Sequence, residues 1–565
     1  MKRIFATVFL VSLALGAGAQ TLQDAYDFAG NDYLGTARSV GMGNAVTAVG
    51  GDLGSLTFNP AGSAVASYSQ FTITPGLTIS SVVGQGTLVN GTPYGFEDKV
   101  RTPSTRMNLP NFGGIVVYDT RRSRGLRRVS FGLVGNLTRD YNYRLRASGT
   151  NAETTLAGSL ASQADGYPES VLQGGFYQND MPSWETMVGY KAGLFDPISG
   201  RDGAYIGLTE RLLSSGEVQL ADRIGQYYGL RRSGSKYDLL TNFALDFSDR
   251  FYVGANIGIT TLDYRSDETR AEDGLAGITY PSGFESLQMR NAIRDEGSGI
   301  YAKIGFIARP TTGLRIGAAI QTPTLMRIRE NYQLEGRSVA DGVEWTQSSP
   351  EDEWYYSFRT PLRVDAGIAY TIGKIAMVSA DYEYFNYNRM RFVSDYDYDI
   401  DFSDVNADIK DFLGPVHAIR LGAELKPIPE LALRVGYNLV TGAQYKRLSF
   451  DKYDYPLVPV DSYYQRKLGE VVQLSSSERK DQLMTAVSFG VGYSSPGSFF
   501  ADFAIRIQYL PNEYISSYPY FAYWSSYNGR LESGDDPYCM DTYATPEICS
   551  QASLCNALLT LGWRF

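Results

Sequence analysis

Histidine occurs once in this chain of 565 residues, at His417, and cysteine three times. A Ser-His or Cys-His nucleophile needs an imidazole in a reachable site. Alternation instead places His417 with Ile419 and Leu421 on the apolar face of its segment. No cluster offers a zinc ligand set. The run Asp395–Asp401 (DYDYDID) alternates carboxylates but lacks the glycine a calcium loop of the EF type needs, so it reads as a solvated acidic loop. Enzyme activity, a metal site and a cofactor are therefore not expected. Beyond the N-terminus no run of about 18 apolar residues exists, which excludes membrane-spanning helices. Basic residues are also short, 51 against 61 acidic. Without Lys2 and Arg3 the chain carries about −12, which argues against a nucleic-acid partner.

What is present is a pattern of strands. After Ala66 the chain reads as fourteen strands whose connections alternate between short and long. Short links fall at Ser248–Arg250, Arg309–Gly313, Ile372–Lys374, Lys426–Glu430 and Ser494–Gly497. Long ones fall at Arg144–Ser235, Arg265–Gly297, Glu335–Glu353, Ser394–Leu413, Gln444–Lys480 and Ile515–Leu554. A soluble sheet has no reason to put its long loops at one end, whereas an outer-membrane barrel has tight periplasmic turns and long outer loops. Side chains alternate accordingly. Strand three sets Val129, Phe131, Leu133 and Leu137 against Ser130, Gly132, Asn136 and Thr138; the last strand sets Ala557, Leu559, Leu561, Trp563 and Phe565 against Thr560, Gly562 and Arg564. The expected fold is all-β: a 14-stranded antiparallel transmembrane barrel, apolar face to lipid, over residues 67–565.

Residues 1–19 read as a secretory signal, with Lys2 and Arg3, an apolar Ile4–Leu15 and Ala17–Ala19 as the cleavage site. Together with the strands and a terminal Phe565, this points to the outer membrane of a Gram-negative bacterium, with the barrel assembly machinery and membrane lipid as partners. Cys539, Cys549 and Cys555 lie near the last outer loop in an oxidising compartment, so one local disulfide and one free thiol are expected, with the pairing open.

Gln20–Ala66 is Gly-rich and too short to make its own core, but it can fold inside a barrel whose walls supply the missing contacts. Its GMGNAV lacks the preceding strand and following helix of a dinucleotide fingerprint. The link at 144–235 holds helix-like stretches, SWETMVGYKAGLFD and TERLLSSGEVQLADRIGQYY, fit to cap the barrel mouth. Polar parity puts Lys303, Arg309, Arg315, Arg359, Arg363, Arg420, Arg434 and Arg506 in the lumen with Asp365, Asp381, Glu383, Glu424 and Asp502. Isolated charges there are costly, so they should pair across strands or with the N-terminal segment. The alternative use is an arginine fork for a carboxylate.

These features resemble the FadL/TodX-type outer-membrane transporters of long-chain fatty acids and other hydrophobic compounds. Phe58, Asn59, Pro60, Ala61 and Gly62 look like the family's Asn-Pro-Ala hatch motif. Arg309–Ile328, with its Thr-Pro-Thr, and Thr360–Tyr387 resemble successive strand-turn-strand units. The resemblance runs from about Tyr33 to the C-terminus and is weakest in the outer loops. It implies a monomeric barrel plugged by an N-terminal hatch. A hydrophobic ligand is caught by the outer loops, passed to a pocket near the hatch, and released sideways at a kink in strand three. Gly132 and Gly135 are the candidate gate, since glycine weakens strand pairing. Two other readings stay open: a FadL-like shuttle subunit of the type IX secretion machinery, and a structural or adhesive surface protein.

Overall fold

The computed structural model describes residues 21–89, 92–93, 95–174, 182–214, 216, 218–373, 375–395, 400–449, 470–518, 522–524, 540–542 and 546–565. The expected signal at 1–19, Cys539 and most of the acidic run after Asp395 lie outside these residues.

The wall is a closed antiparallel sheet of 14 strands. In chain order they are β1 (Gln70–Gly86), β2 (Val100–Asp119), β3 in two parts (Leu126–Asp140 and Tyr143–Asn151), β4 (Ile224–Phe247), β5 (Phe251–Asp273) and β6 (Phe284–Ala308). Then come β7 (Leu314–Gln321, Leu325–Ala340), β8 (Val343–Ser348, Asp352–Arg359, Arg363–Ile372), β9 (Ala376–Asn386, Arg391–Ser394), β10 (Pro415–Ile428) and β11 (Leu431–Val440). The last are β12 (Met484–Ser494), β13 (Phe499–Tyr509, Glu513–Ser516) and β14 (Glu547–Arg564). β1 pairs with β14 from Gln70↔Arg564 to Gly86↔Ile548, which closes the ring and removes the edges. Alternation sorts the two faces. On β14, Leu559 and Trp563 are exposed to the outside while Asn556, Leu558 and Thr560 are buried within. The outer belt of Phe131, Leu133, Phe243, Ile257, Ile304 and Phe489 is likewise exposed, a lipid-facing surface. His417 lies with Tyr382 and Tyr384 at the edge of this belt, its Nδ1 2.6 Å from Tyr382 Oη. The barrel and its apolar belt make this an outer-membrane protein of a Gram-negative bacterium.

Several strands run well past the membrane. β4, β5 and β6 have 24, 23 and 25 residues, where about 9–11 cross a bilayer. The insertion expected at 144–235 is correspondingly shorter, because β3 continues to Asn151 and β4 begins at Ile224. Above the bilayer the outer face carries charges instead of apolar residues, so the alternation that marks a strand from sequence disappears there. Trp184–Lys191 is a helix, but the second helix-like stretch is a correction. It forms a short hairpin, Glu210–Leu212 with Val218–Leu220, and then enters β4. Helices α4 (Leu156–Ala164) and α5 (Trp184–Lys191) pack on Ile224, Leu287, Met289 and Leu334 over the barrel mouth.

The N-terminal segment occupies the lumen. It holds α1 (Leu22–Ala29), α2 (Ala37–Gly41), a 3₁₀ turn Leu53–Thr57 and α3 (Gly62–Val65), nearly all of it buried. α1 begins with a capping box, Thr21 and Asp24 each serving the other's backbone. In the outer half, α6 (Ser403–Phe412) leans inward against α1.

Candidate functional site: plug, charged lumen and a break in the wall

Asn59 ties the plug to the wall. Its Nδ2 donates to the Thr47 carbonyl at 2.8 Å and to the Phe306 carbonyl of β6 at 2.9 Å, while its Oδ1 accepts from the Ala61 N–H at 3.1 Å. Pro60 fixes φ in the turn, which the Gly62 N–H closes on the Asn59 carbonyl at 3.0 Å. Asn242 of β4 donates to the Pro60 carbonyl at 2.9 Å. The turn reaches β5 because residue 254 is glycine: a Cβ there would come within 2.5 Å of Pro60. Phe58 lies edge-on to Tyr33, ring centroids 4.8 Å apart, under the Arg420 guanidinium. Asn59→Ala removes all three side-chain bonds, each worth about 1 kcal/mol net. We expect the variant to form a folded barrel whose amides around Thr47–Gly62 exchange faster by about tenfold or more, read by hydrogen exchange. Unchanged protection would show that the turn is held without Asn59.

Most of the inward charges fall into two paired groups. Glu383 accepts from Arg363 at 2.9 Å and from Arg420, and Arg363 also donates to the Ala29 carbonyl of the plug at 2.7 Å. Lys303 pairs with Asp365 at 2.8 Å and donates to the Thr57 carbonyl at 2.8 Å. Asp381 accepts from the Thr47 N–H at 2.7 Å. Nearer the periplasm Arg434 bridges Glu424 and Asp502, and Arg38 of α2 joins Glu424 at 3.3 Å. Arg506 holds Asp32 at 2.7 Å and Arg315 the Val49 carbonyl at 2.6 Å. Two residues depart from the expected parity. Arg359 is exposed on the outer face between Leu325 and Arg391, because the interruption between Arg359 and Arg363 resets the count along β8. Arg309 sits in the periplasmic turn, 3.4 Å from the Asp249 and Thr312 carbonyls.

The wall is broken between β2 and β3. Their ladder runs from Asp119↔Arg128 to Asn111↔Asn136 and stops. Beyond it β2 stays paired with β1 out to Val100, and β3 stays paired with β4 out to Asn151. Between Val100 and Asn111 side chains span the break, and above it the Asp98 N–H donates to the Ser148 carbonyl at 3.1 Å. Ser104 donates to Asn142 Oδ1 at 2.7 Å, and Asn108 donates to Asp140 at 2.8 Å. Arg106 reaches Asp140 at 3.4 Å and the Gly234 carbonyl at 2.5 Å. Met107 and Ile79 still face outward at this height, so the break starts within the apolar belt. Gly132 and Gly135 lie just below it, in the fully paired stretch; Phe112 covers Gly135 so closely that a Cβ would meet its ring at 2.3 Å. Leu137, expected on the lipid face, is buried. β3 turns inward here, and the plug pairs with its freed edge: Asp32 N–H to Thr138 O at 2.6 Å and Leu34 N–H to Leu137 O at 2.9 Å. The sequence does carry a signal for this edge. Pro103 and Pro110 both fall on the unpaired stretch of β2, and proline belongs at edges and bulges.

Tyr141, inside the break of β3, belongs to an aromatic cluster above the plug with Phe28 of α1, Tyr264, Tyr356, Phe358, Phe385, Phe392 and Phe402. Tyr141 and Tyr264 meet edge to face at 4.9 Å. None of these rings stands out in the sequence: most look like ordinary strand aromatics, and Phe28 and Phe402 lie outside the strands.

Plug, paired lumen and interrupted wall define a plugged transmembrane barrel whose β2–β3 ladder is lost beside a packed aromatic cluster. No family model matches the chain, and no curated protein matches it. Among solved structures it is similar to FadL- and TodX-type channels. One is a Pseudomonas aeruginosa FadL homologue, 11% identical over 94% of this chain and 99% of that one, TM-score 0.46. Another is the P. putida toluene transporter TodX, 11% identical over 94% and 98%, TM-score 0.44. A third is the monoaromatic hydrocarbon channel CymD, 10% identical over 95% and 99%, TM-score 0.42.

Proposed function

We propose that the protein is a passive conduit for hydrophobic molecules such as long-chain fatty acids, which enter under the outer loops, pass the aromatic cluster above the plug, and leave sideways through the break in β3. The observation that carries this reading is the loss of the β2–β3 ladder beyond Asn111 and Asn136, with Tyr141 of the aromatic cluster in the gap. An apolar cargo leaving there enters lipid without crossing water. The axial route supports the same reading. It ends in a cavity of about 330 Å³ lined by Arg38, Asp52, Glu424, Arg434, Asp502 and Arg564, where an apolar cargo would face charges.

The test is uptake of a labelled long-chain fatty acid by cells lacking other routes, beside binding to purified protein. Gly132 and Gly135 remain gate candidates as the hinge below the break, and Gly135→Trp, which displaces Phe112, is expected to slow uptake at least about tenfold while capture persists. Asn59→Ala should slow uptake in a folded barrel. A Gly135→Trp protein that assembles and transports at the wild-type rate would sink lateral exit at this strand. Wild-type protein that moves no hydrophobic probe, but captures a protein terminus in the barrel, would favour the shuttle.

A further inference from the structure

On the inner faces of β6 and β7, Asp295 stands directly opposite Glu330. Like charges facing each other across a ladder repel, and one register step away the same ladder does the opposite, with Glu296 facing its ion-pair partner Arg329 on the outside. Asp295 is 1% and Glu330 3% exposed. Both accept from one hydroxyl, Tyr356 of β8, at 3.3 and 3.1 Å. The charged outward neighbours Arg294 and Glu296 place the pair above the bilayer belt, not within it. Two carboxylates so close and so dry hold one proton between them. Burial, and then the Glu330 charge, push Asp295 well above the usual carboxylate range.

The surroundings bring little positive charge. The floor is α1, with Asp24, itself pushed up to about 6 by burial, and Asp27, which Arg139 neutralises. The walls bring Tyr264 of β5 and Tyr141 of β3, Tyr332 of β7 through its contact with Trp354, and Arg232 of β4, which is committed to Glu513 of β13. The roof is α6, which sets Phe402 and Ile409 into the cluster and carries Asp404, Asp408 and Lys410. The acid pair thus lies in the aromatic layer that joins α6 to α1.

We infer that Asp295, Glu330 and Tyr356 form a proton-dependent latch that keeps α6 seated on the plug helix and the aromatic cluster packed shut. With the shared proton in place the pair is hydrogen-bonded and the layer packs. Losing it leaves two adjacent anions among aromatic rings, and they are relieved only if water enters and α1 and α6 part. The closed state therefore holds one more proton than the open one. Closure is complete at low pH and is lost as pH rises through the pair's upper ionisation, at tenfold in the open-to-closed ratio per pH unit.

The cluster's role as a passage rests on the transport reading above, but the latch has a readout of its own. Hydrogen exchange of Leu22–Ala29 and Ser403–Phe412 is followed in the full-length protein in lipid nanodiscs from pH 6 to pH 9, each value taken relative to Asp295→Asn at the same pH to cancel the intrinsic pH dependence of exchange. We expect wild-type exchange in both segments to climb over that of Asp295→Asn by about tenfold per unit in the upper part of the range. Glu330→Gln, the second variant, should stay as flat as Asp295→Asn, and Tyr356→Phe should open at lower pH. Equal exchange in wild type and both amide variants across the range overturns the latch. If exchange follows the latch while fatty-acid uptake is the same at every pH, the latch stands and the cluster is not the passage.

Discussion

A Ser104→Cys/Asn142→Cys protein, oxidised to full yield, should take up hydrophobic substrate no faster than cells without the protein, and a reductant should restore it. Ser104 and Asn142 face each other across the break with their side-chain oxygens 2.7 Å apart. They sit on the two strands that share no backbone hydrogen bond there. A covalent bridge replaces a polar contact worth about 1 kcal/mol, which thermal motion opens, with one it cannot. Capture by the outer loops should be untouched, so binding and uptake separate. The single cysteine variants control for the native thiols Cys549 and Cys555. A fully bridged protein that transports at the wild-type rate would place the exit elsewhere.

The largest stability effect is expected at Glu383. It is 1% exposed and accepts from both Arg363 and Arg420, which reach the plug through the Ala29 carbonyl and the rings of Phe58 and Tyr33. Glu383→Ala strands two buried guanidinium groups, a loss of roughly 3–5 kcal/mol. The wall keeps its backbone ladders, so the cost should fall on the plug. Limited proteolysis should cut the Leu22–Ala66 segment in the variant and spare it in the wild type, with the heat-modifiable barrel band still present. Glu383→Gln, which keeps a hydrogen-bond acceptor, should lie between the two. Equal protease resistance in Glu383→Ala and wild type would mean the network does not seat the plug.

The paired charges show how far a sequence reaches. Parity alone assigned Lys303, Arg363, Asp365, Asp381, Glu383 and Arg420 to one face, since a strand leaves no other choice. It could not say that Glu383 takes two arginines while Asp381 takes a plug amide, because those partners are set by shear and by where the plug lies. Arg359 was misplaced by the same logic, once an interruption in β8 reset the count. The glycines gave no unique answer either. Gly135 reads as a weak point in β3, yet it is paired on both sides under Phe112, while the ladder gives way a few residues on, where the plug replaces the missing neighbour.

By itself the sequence determined the barrel: the strand count, which face meets lipid, which end carries the loops, and that Gln20–Ala66 needed walls around it. Each follows from side-chain period and link length, which are local and repeat along the chain. Only the tertiary structure decided where the ring opens, which aromatics gather above the plug, and that Asp295 and Glu330 share one hydroxyl. These depend on register between distant strands and on the plug's seat, where a shift of one residue exchanges inside for outside.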